Sequence, residues 1–232
     1  MHVEIWSDVV CPWCYIGKRR FETALRRFPH RDDVTVTYRS FELDPGAPPV
    51  RSEPPAAHLA AKYGISEAEA RSLNDRVTAI AADEGLDYRL DRARSGNTFD
   101  AHRLLHLAAA RGLQDAVVER FMAAYFSEGE PIGDHDALTR LATEAGLDAD
   151  EVAAVLAGDA YADAVRADEA QARAFGISGV PFFVVDRTYG VSGAQPADVL
   201  LQVLERARSE RAPLTVVEPT DAAACDDGSC AV

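Results

Sequence analysis

The stretch WSDVVCPWCYIGKRRFE, residues 6–22, decides how the rest of the chain is read. Before it, Val3, Glu4 and Ile5 begin a short strand, with Val3 and Ile5 on one face; Ser7 to Val10 read as a loop. Pro12 suits the first turn of a helix, where its missing N–H is no loss. Beyond Cys14, Gly17, Phe21, Leu25 and Phe28 recur at three- and four-residue spacing, which predicts an amphipathic helix with Lys18, Arg19 and Arg20 on its solvated side. Two cysteines three apart at a helix start can close a disulfide with little chain cost. Cys11 falls where unpaired N–H groups and the helix dipole stabilise a thiolate. Cys14, about one turn on, is expected to be the more buried thiol and to resolve a mixed disulfide. Trp13 is expected to line the cleft beside them.

Outward from this helix, Val34, Val36 and Tyr38 alternate with Thr35, Thr37 and Arg39, a second strand that completes a βαβ unit. Five prolines in residues 44–57 break regular structure and suit a domain boundary. Helices follow. Ser66 with Glu69 is a capping-box pattern, with Leu73, Val77 and Ile80 behind it. Asn97 reads as the N-cap of a helix that runs to Arg111 and stops at Gly112. Phe121 with Tyr125 marks the next helix, Leu138 with Leu141 another, and Asp148 with Glu151 caps a third. A last one runs from about Asp159 to Gly176. Strand signals return at Pro181 to Val185, a hairpin connection follows, and Pro196 opens a final amphipathic helix. A βαβ unit and a ββα unit thus flank a helical block, and the two ends are expected to pair into one sheet. The predicted division is 1–50 with 173–212 for the α/β domain, 51–172 for a helical insertion, and 213–232 for an acidic tail.

The chain has 232 residues, 47% hydrophobic and 27% charged, with no apolar run of membrane-spanning length. Its formal net charge is −14, which argues against nucleic acid as a partner. Residues 51–172 carry 12 basic and 23 acidic side chains, net −11, so the acidity belongs mainly to the insertion. The start, Met1-His2-Val3-Glu4, lacks the basic and apolar regions of a secretory signal, and the expected compartment is the cytoplasm. In that compartment close cysteine pairs point to redox or metal chemistry before structural staples. A zinc site would need two ligands beyond Cys11 and Cys14. Cys225 and Cys230 are the other thiols, but they sit in the tail without C-x-x-C spacing, so no metal is expected. They are instead a candidate secondary redox pair, or an incidental one. Asp226 and Asp227 beside them disfavour the thiolate. Val180-Pro181 is either a plain strand-start proline or a cis turn exposing the Val180 backbone to an extended substrate.

The blocks WSDVVCPWCYIGKRRFE, NTFDAHRLLHLA, AFGISGVPFFVV and VSGAQPADVLLQVLE together resemble the DsbA-family oxidoreductases, in particular the FrnE-like branch, over about residues 1–210. The resemblance implies an α/β thioredoxin-like fold interrupted by a large all-helical insertion. It implies Cys11 as attacking thiol, Cys14 as resolving thiol, and Pro181 as a cis-proline facing them. The expected activity is thiol–disulfide exchange, by oxidation, reduction or isomerisation. The substrate would be a disulfide-containing protein or a small thiol, with no organic cofactor. The related kappa-class glutathione transferases and 2-hydroxychromene-2-carboxylate isomerases supply the alternative. In it, glutathione is co-substrate for chemistry on an aromatic or polyketide-like molecule, and Asn97 opens a glutathione-sized cleft; those proteins typically carry Ser where Cys11 stands. His102 and His106, four apart on one helix, are expected to pack or hydrogen-bond and not to bind metal.

Overall fold

Strand β1 (His2–Ser7) is an inner strand of a four-stranded sheet of order β2-β1-β3-β4 in the computed structural model, which describes residues 1–210. β1 pairs in parallel with β2 (Thr35–Ser40), Val3 opposite Val36 and Ile5 opposite Tyr38. It pairs antiparallel with β3 (Phe182–Val185), Ile5 opposite Phe183. The parallel pair needs a crossover, and α1 (Pro12–Arg27) supplies it. β3 turns into β4 (Tyr189–Ser192) through Asp186 and Arg187, whose φ of 46° and 53° are those of a tight hairpin. The ends of the chain therefore meet in one sheet, as the flanking units predict.

Between β2 and β3 run α2 (Pro55–Tyr63), α3 (Glu67–Asp83), α4 (Phe99–Ala110), α5 (Gln114–Ala123), α6 (His135–Glu144), α7 (Ala149–Ala157) and α8 (Ala162–Ala174); α9 (Ala197–Ser209) follows β4. The caps explain several boundaries. Ser66 and Glu69 form a complete capping box. The Asp148 carboxylate accepts from the Asp150 and Glu151 amides at 3.0 Å each. Apolar side chains of the sheet, α1 and α9, such as Val3, Phe21, Phe183 and Leu204, form one continuous cluster with Leu104, Phe121, Leu138 and Val152 of the intervening helices. Sheet and helices share a core. No described helix is long and apolar enough to cross a membrane.

Several expectations are corrected. Lys18 is buried, not solvated: its ammonium lies 3.0 Å from both Asp115 and Glu119 and pairs with Glu22. Arg19 joins Glu119, and Arg20 reaches Glu84 and the Ala194 carbonyl. A helix packed by neighbours on more than one side has no freely solvated face, and single-helix periodicity does not reveal that. α4 begins at Phe99 with Thr98 as cap residue, so Asn97 stands one position earlier. Leu73 is exposed, α5 passes into a π-helical turn at Ala124–Glu128, and α8 starts at Ala162. The proline-rich stretch is hydrogen-bonded to the segment before α4. The Asn97 amide donates to the Pro48 carbonyl and the Arg51 amide to Ser95, each at 2.8 Å. Gly96 and Gly133 admit the Pro49 carbonyl where any Cβ would collide with it. The tail with Cys225 and Cys230 lies outside the described residues.

Sheet pairing on both sides buries β1 along its length, including Glu4 at 1% exposure. Burial alone would raise the Glu4 carboxyl, but hydrogen bonds from Arg187 and Arg39 hold it below its ordinary value. The carboxylate thus contributes stability above the unfolded-state value of about 4.3 and loses it as pH falls through its lower folded value. Glu4→Gln should cost about 1–3 kcal/mol at neutral pH. Thermal melts should show that deficit shrinking toward zero as the solution is acidified below about pH 4.

Candidate active site

Cys11 is the N-cap of α1 and Pro12 its first residue. Cys11 has extended dihedrals (φ −87°, ψ 115°), and its carbonyl accepts from the Cys14 amide at 3.0 Å and the Tyr15 amide at 3.4 Å. Its own amide donates to the Asp8 carbonyl at 3.1 Å, which closes the loop from β1 onto the helix start. The Cys11 Sγ lies 3.6 Å from the Val180 carbonyl oxygen. Val180-Pro181 is a cis bond. The turn at the head of β3 therefore faces the thiol that opens α1.

Helix and turn meet this closely because residue 17 has no side chain. A Cβ on Gly17 would stand 2.9 Å from Pro181 Cγ and 3.4 Å from Phe183 Cζ. One helical turn further, the Phe21 ring stacks on Phe183 with centroids 5.6 Å apart. The spacing that predicts an amphipathic helix also predicts Gly17 on its packed face, and the structure gives that glycine its partner.

Both thiols are buried, Cys11 4% and Cys14 3% exposed, so burial does not separate them as expected. Their surroundings do. Burial, then the neighbouring Cys11, pushes the Cys14 thiol well above its ordinary range, while hydrogen bonds with the Ser7 side chain and the Asp8 backbone pull the other way. Cys14 is thereby kept protonated while Cys11 sits at the helix start beside the turn. Trp13, between them, is 41% exposed. Val180 is half-buried, and Pro181 is buried.

Asn97 does not stand free for a ligand. Its side-chain oxygen accepts from the Phe99 amide at 2.9 Å and its nitrogen donates to the Pro45 carbonyl at 3.1 Å. It ties the start of α4 to the proline-rich segment. His106 lies 3.1 Å from Asp168 and 3.2 Å from Ser40, a hydrogen-bonding role. Among the described residues no set of three or more His, Cys, Asp or Glu side chains has metal-holding geometry.

Two residues beside the thiols, Tyr88 and Asp8, escape sequence reasoning. The Tyr88 hydroxyl donates to the Pro12 carbonyl at 2.7 Å, so a tyrosine from the segment after α3 pins the dipeptide between the cysteines. Its ring stacks on Phe126 of the π-helical turn, centroids 4.6 Å apart. Burial, then charge at Cys11, pushes the Tyr88 phenol upward, which keeps it a hydrogen-bond donor. Asp8 is fully buried, and His102 of α4 approaches it, Nε2 to Oδ1 3.5 Å. The proximity of Asp8 to Cys11 in sequence is the only signal for either Tyr88 or Asp8, whereas His102 is legible as a packing or hydrogen-bonding residue of α4.

A family model described as the DSBA-like thioredoxin domain matches residues 2–205, and the chain belongs to that family. The probable DsbA oxidoreductase of Streptomyces coelicolor is 53% identical, with 100% of this chain and 99% of that chain covered and a TM-score of 0.90. The uncharacterized protein YwbO of Bacillus subtilis is 29% identical over 203 residues, which cover 86% of this chain and 93% of that protein. The cytosolic disulfide reductase DsbM of Pseudomonas aeruginosa is 17% identical, with 90% of this chain and 100% of that chain covered and a TM-score of 0.62. It has also been solved with GSH. At that identity the likeness to DsbM is one of fold.

The contact between α1 and the turn makes a direct prediction. Gly17→Ala must displace the Pro181 ring from α1, an overpacking cost of about 1–3 kcal/mol. Thermal melting should show that loss. Disulfide-exchange rates should fall together with it, because the turn moves away from Cys11.

Proposed function

We propose that the protein is a thiol–disulfide oxidoreductase in which Cys11 attacks and Cys14 resolves. The observation that carries this reading is the Cys11 sulfur at the start of α1, 3.6 Å from the carbonyl of Val180 at a cis-proline turn. The Cys11 thiolate attacks one sulfur of a substrate disulfide, forming a mixed disulfide and releasing the other sulfur as a thiolate. Cys14 then loses its proton and attacks the Cys11 sulfur. This closes the Cys11–Cys14 disulfide and frees the second substrate sulfur. The reverse sequence oxidises a substrate dithiol. Two electrons pass from the cysteine pair to the substrate disulfide through sulfur alone, so the reaction calls for neither metal nor organic cofactor.

Each neighbouring group has a part in this reading. Pro181 and the Val180 backbone shape the groove in which an extended segment around the substrate disulfide lies. The exposed Trp13 gives that segment an apolar platform. Tyr88 holds the Pro12 carbonyl, and with it the geometry of the turn between the thiols. A disulfide-bonded protein and a small thiol of the glutathione type are the proposed partners, and the cytoplasm the proposed compartment. The solved complex of DsbM with GSH supports a small thiol partner for this fold.

The glutathione-dependent transferase or isomerase reading makes different demands, since such chemistry needs only one activated sulfur or hydroxyl at the helix start. Two assays decide between them. The protein should catalyse insulin reduction by a thiol donor and form no glutathione conjugate with a chloronitrobenzene acceptor. Cys11→Ser should abolish insulin reduction, while Cys14→Ser should accumulate mixed disulfides visible by mass spectrometry. Iodoacetamide at about pH 6 should label Cys11 faster than Cys14, because burial holds Cys14 protonated. Full activity in Cys11→Ser, or faster labelling of Cys14, would overturn the assignment.

A further inference from the structure

The packing around Tyr88 does not call for its hydroxyl. The ring is buried and stacks on Phe126 and Tyr15, with centroids 4.6 Å and 6.2 Å away. A phenylalanine would make the same ring contacts. The hydroxyl is spent on one group, the Pro12 carbonyl at 2.7 Å. Its approach is fixed from both sides in the chain. Leu86, two residues earlier, is buried, and the next residue, Arg89, donates its amide to the Phe126 carbonyl at 2.6 Å. The segment after α3 thus holds a preset donor against the dipeptide between the cysteines.

The first turn of α1 has few donors left for a sulfur. Pro12 has no N–H, and the Cys14 and Tyr15 amides donate to the Cys11 carbonyl at 3.0 Å and 3.4 Å. That leaves the Trp13 amide, at the second helical position, from which the side chain of an N-cap residue can accept. Cys11 is that N-cap residue. Both cysteines are free thiols in the structure, and Cys11 turns its S–H toward the Val180 carbonyl, 3.6 Å away. A Cys11 thiolate has nothing to donate to that carbonyl and must accept instead, and the Trp13 amide is the main-chain donor in place for it. The Trp13 N–H and the Pro12 C=O are two ends of one peptide unit. A carbonyl in the first helical turn already accepts from the amide four residues on, and Tyr88 adds a bond to its second lone pair. Each bond accepted by the oxygen polarises the unit and makes its N–H a stronger donor.

We propose that Tyr88 stabilises the Cys11 thiolate through the Pro12–Trp13 peptide and thereby sets the redox equilibrium of the cysteine pair. This role rests on the disulfide-exchange reading above. Tyr88 is a positioning residue: its hydroxyl bonds to the dipeptide and not to a sulfur. With glutathione as the reductant, one protein disulfide and two glutathione thiols become one Cys11 thiolate, one Cys14 thiol, one glutathione disulfide and one released proton. The Cys11–Cys14 bond breaks, the glutathione S–S bond forms, and two electrons pass from glutathione to the protein. Charge stands on Cys11 only on the reduced side, so a donor that reaches it favours the dithiol form. A bond that merely held the turn would serve the disulfide and the dithiol alike. Burial, and then charge at Cys11, raises the Tyr88 phenol, which keeps it a donor beside the new thiolate.

The test is a titration of the full-length protein between reduced and oxidised glutathione near neutral pH. The reduced fraction is read by mass spectrometry from alkylation of the peptide that carries Cys11 and Cys14. Tyr88→Phe keeps the ring and removes only the hydroxyl. Its equilibrium should shift about two- to fivefold toward the disulfide, a fraction of a charge-assisted hydrogen bond passed through one peptide. Thermal melts should agree, with the variant losing more stability in its reduced form than in its oxidised form. Tyr15→Phe is the control. It removes a hydroxyl from the same ring stack, one that donates to Glu119 and not to the motif, and should leave the equilibrium where it is in the unaltered protein. An unmoved equilibrium in Tyr88→Phe with equal losses of stability in both forms would reduce the hydroxyl to a structural tie and overturn the proposal. A shift toward the dithiol, or an equal shift in Tyr15→Phe, would overturn it too. An unaltered protein that forms no Cys11–Cys14 disulfide in oxidised glutathione would instead overturn the disulfide-exchange reading.

Discussion

Everything at the candidate site depends on how closely the first turns of α1 approach the Val180-Pro181 turn. The helix brings the cysteines, the turn brings the Val180 carbonyl, and Gly17 leaves room for the Pro181 ring between them. The sheet makes the approach possible. β1 delivers α1 from one end, and β3, hydrogen-bonded alongside β1, delivers the turn from a point some 170 residues later in the chain. The α1–β3 contact is thus the place where sheet topology becomes chemistry.

The helices between β2 and β3 are more than an appendage to this arrangement. Their apolar side chains are continuous with the core beneath the sheet. Their polar side chains reach the outer face of α1: Glu119 and Asp115 neutralise Lys18, and Glu119 accepts from the Tyr15 hydroxyl at 2.6 Å. Burial alone would discharge the Lys18 ammonium, and the carboxylates hold it charged instead. Tyr15, Tyr88 and Phe126 stack where α1 meets these helices. Rotation of α1 relative to the helical layer would break these contacts together, so the cysteine pair is clamped from the sheet side and from the helical side.

Charge is distributed in keeping with this. The net −11 of residues 51–172 is partly spent within the molecule, on Lys18, Arg19 and Arg39, each paired with carboxylates of the helical segment. Carboxylates paired with cations project little field into solvent, so the average charge of the insertion overstates the field it projects.

The chain's own pattern determined the βαβ start, the returning hairpin, most of the helices and the pairing of Cys11 with Cys14 across one helical turn. These are local matters: period, caps and turn residues act over a few positions. The Ser66–Glu69 capping box, the Asp148 cap and the amphipathic faces are legible for that reason. What the sequence did not disclose are the encounters between distant segments. Lys18 looked like a solvated cation because its three carboxylate partners include two nearly a hundred residues away. Asn97 reads as a helix cap, and its oxygen does accept from the first amide of α4, but its bond to the Pro45 carbonyl leaves no local signal. Tyr88 and His102 carry no spacing signal toward the motif, since Tyr88 reaches Pro12 and His102 reaches Asp8 only in the folded chain. Propensity and periodicity describe a segment against an average surrounding. Only the tertiary structure decides which buried charge finds a partner: Lys18 finds three carboxylates, and Asp8 finds the Leu43 amide.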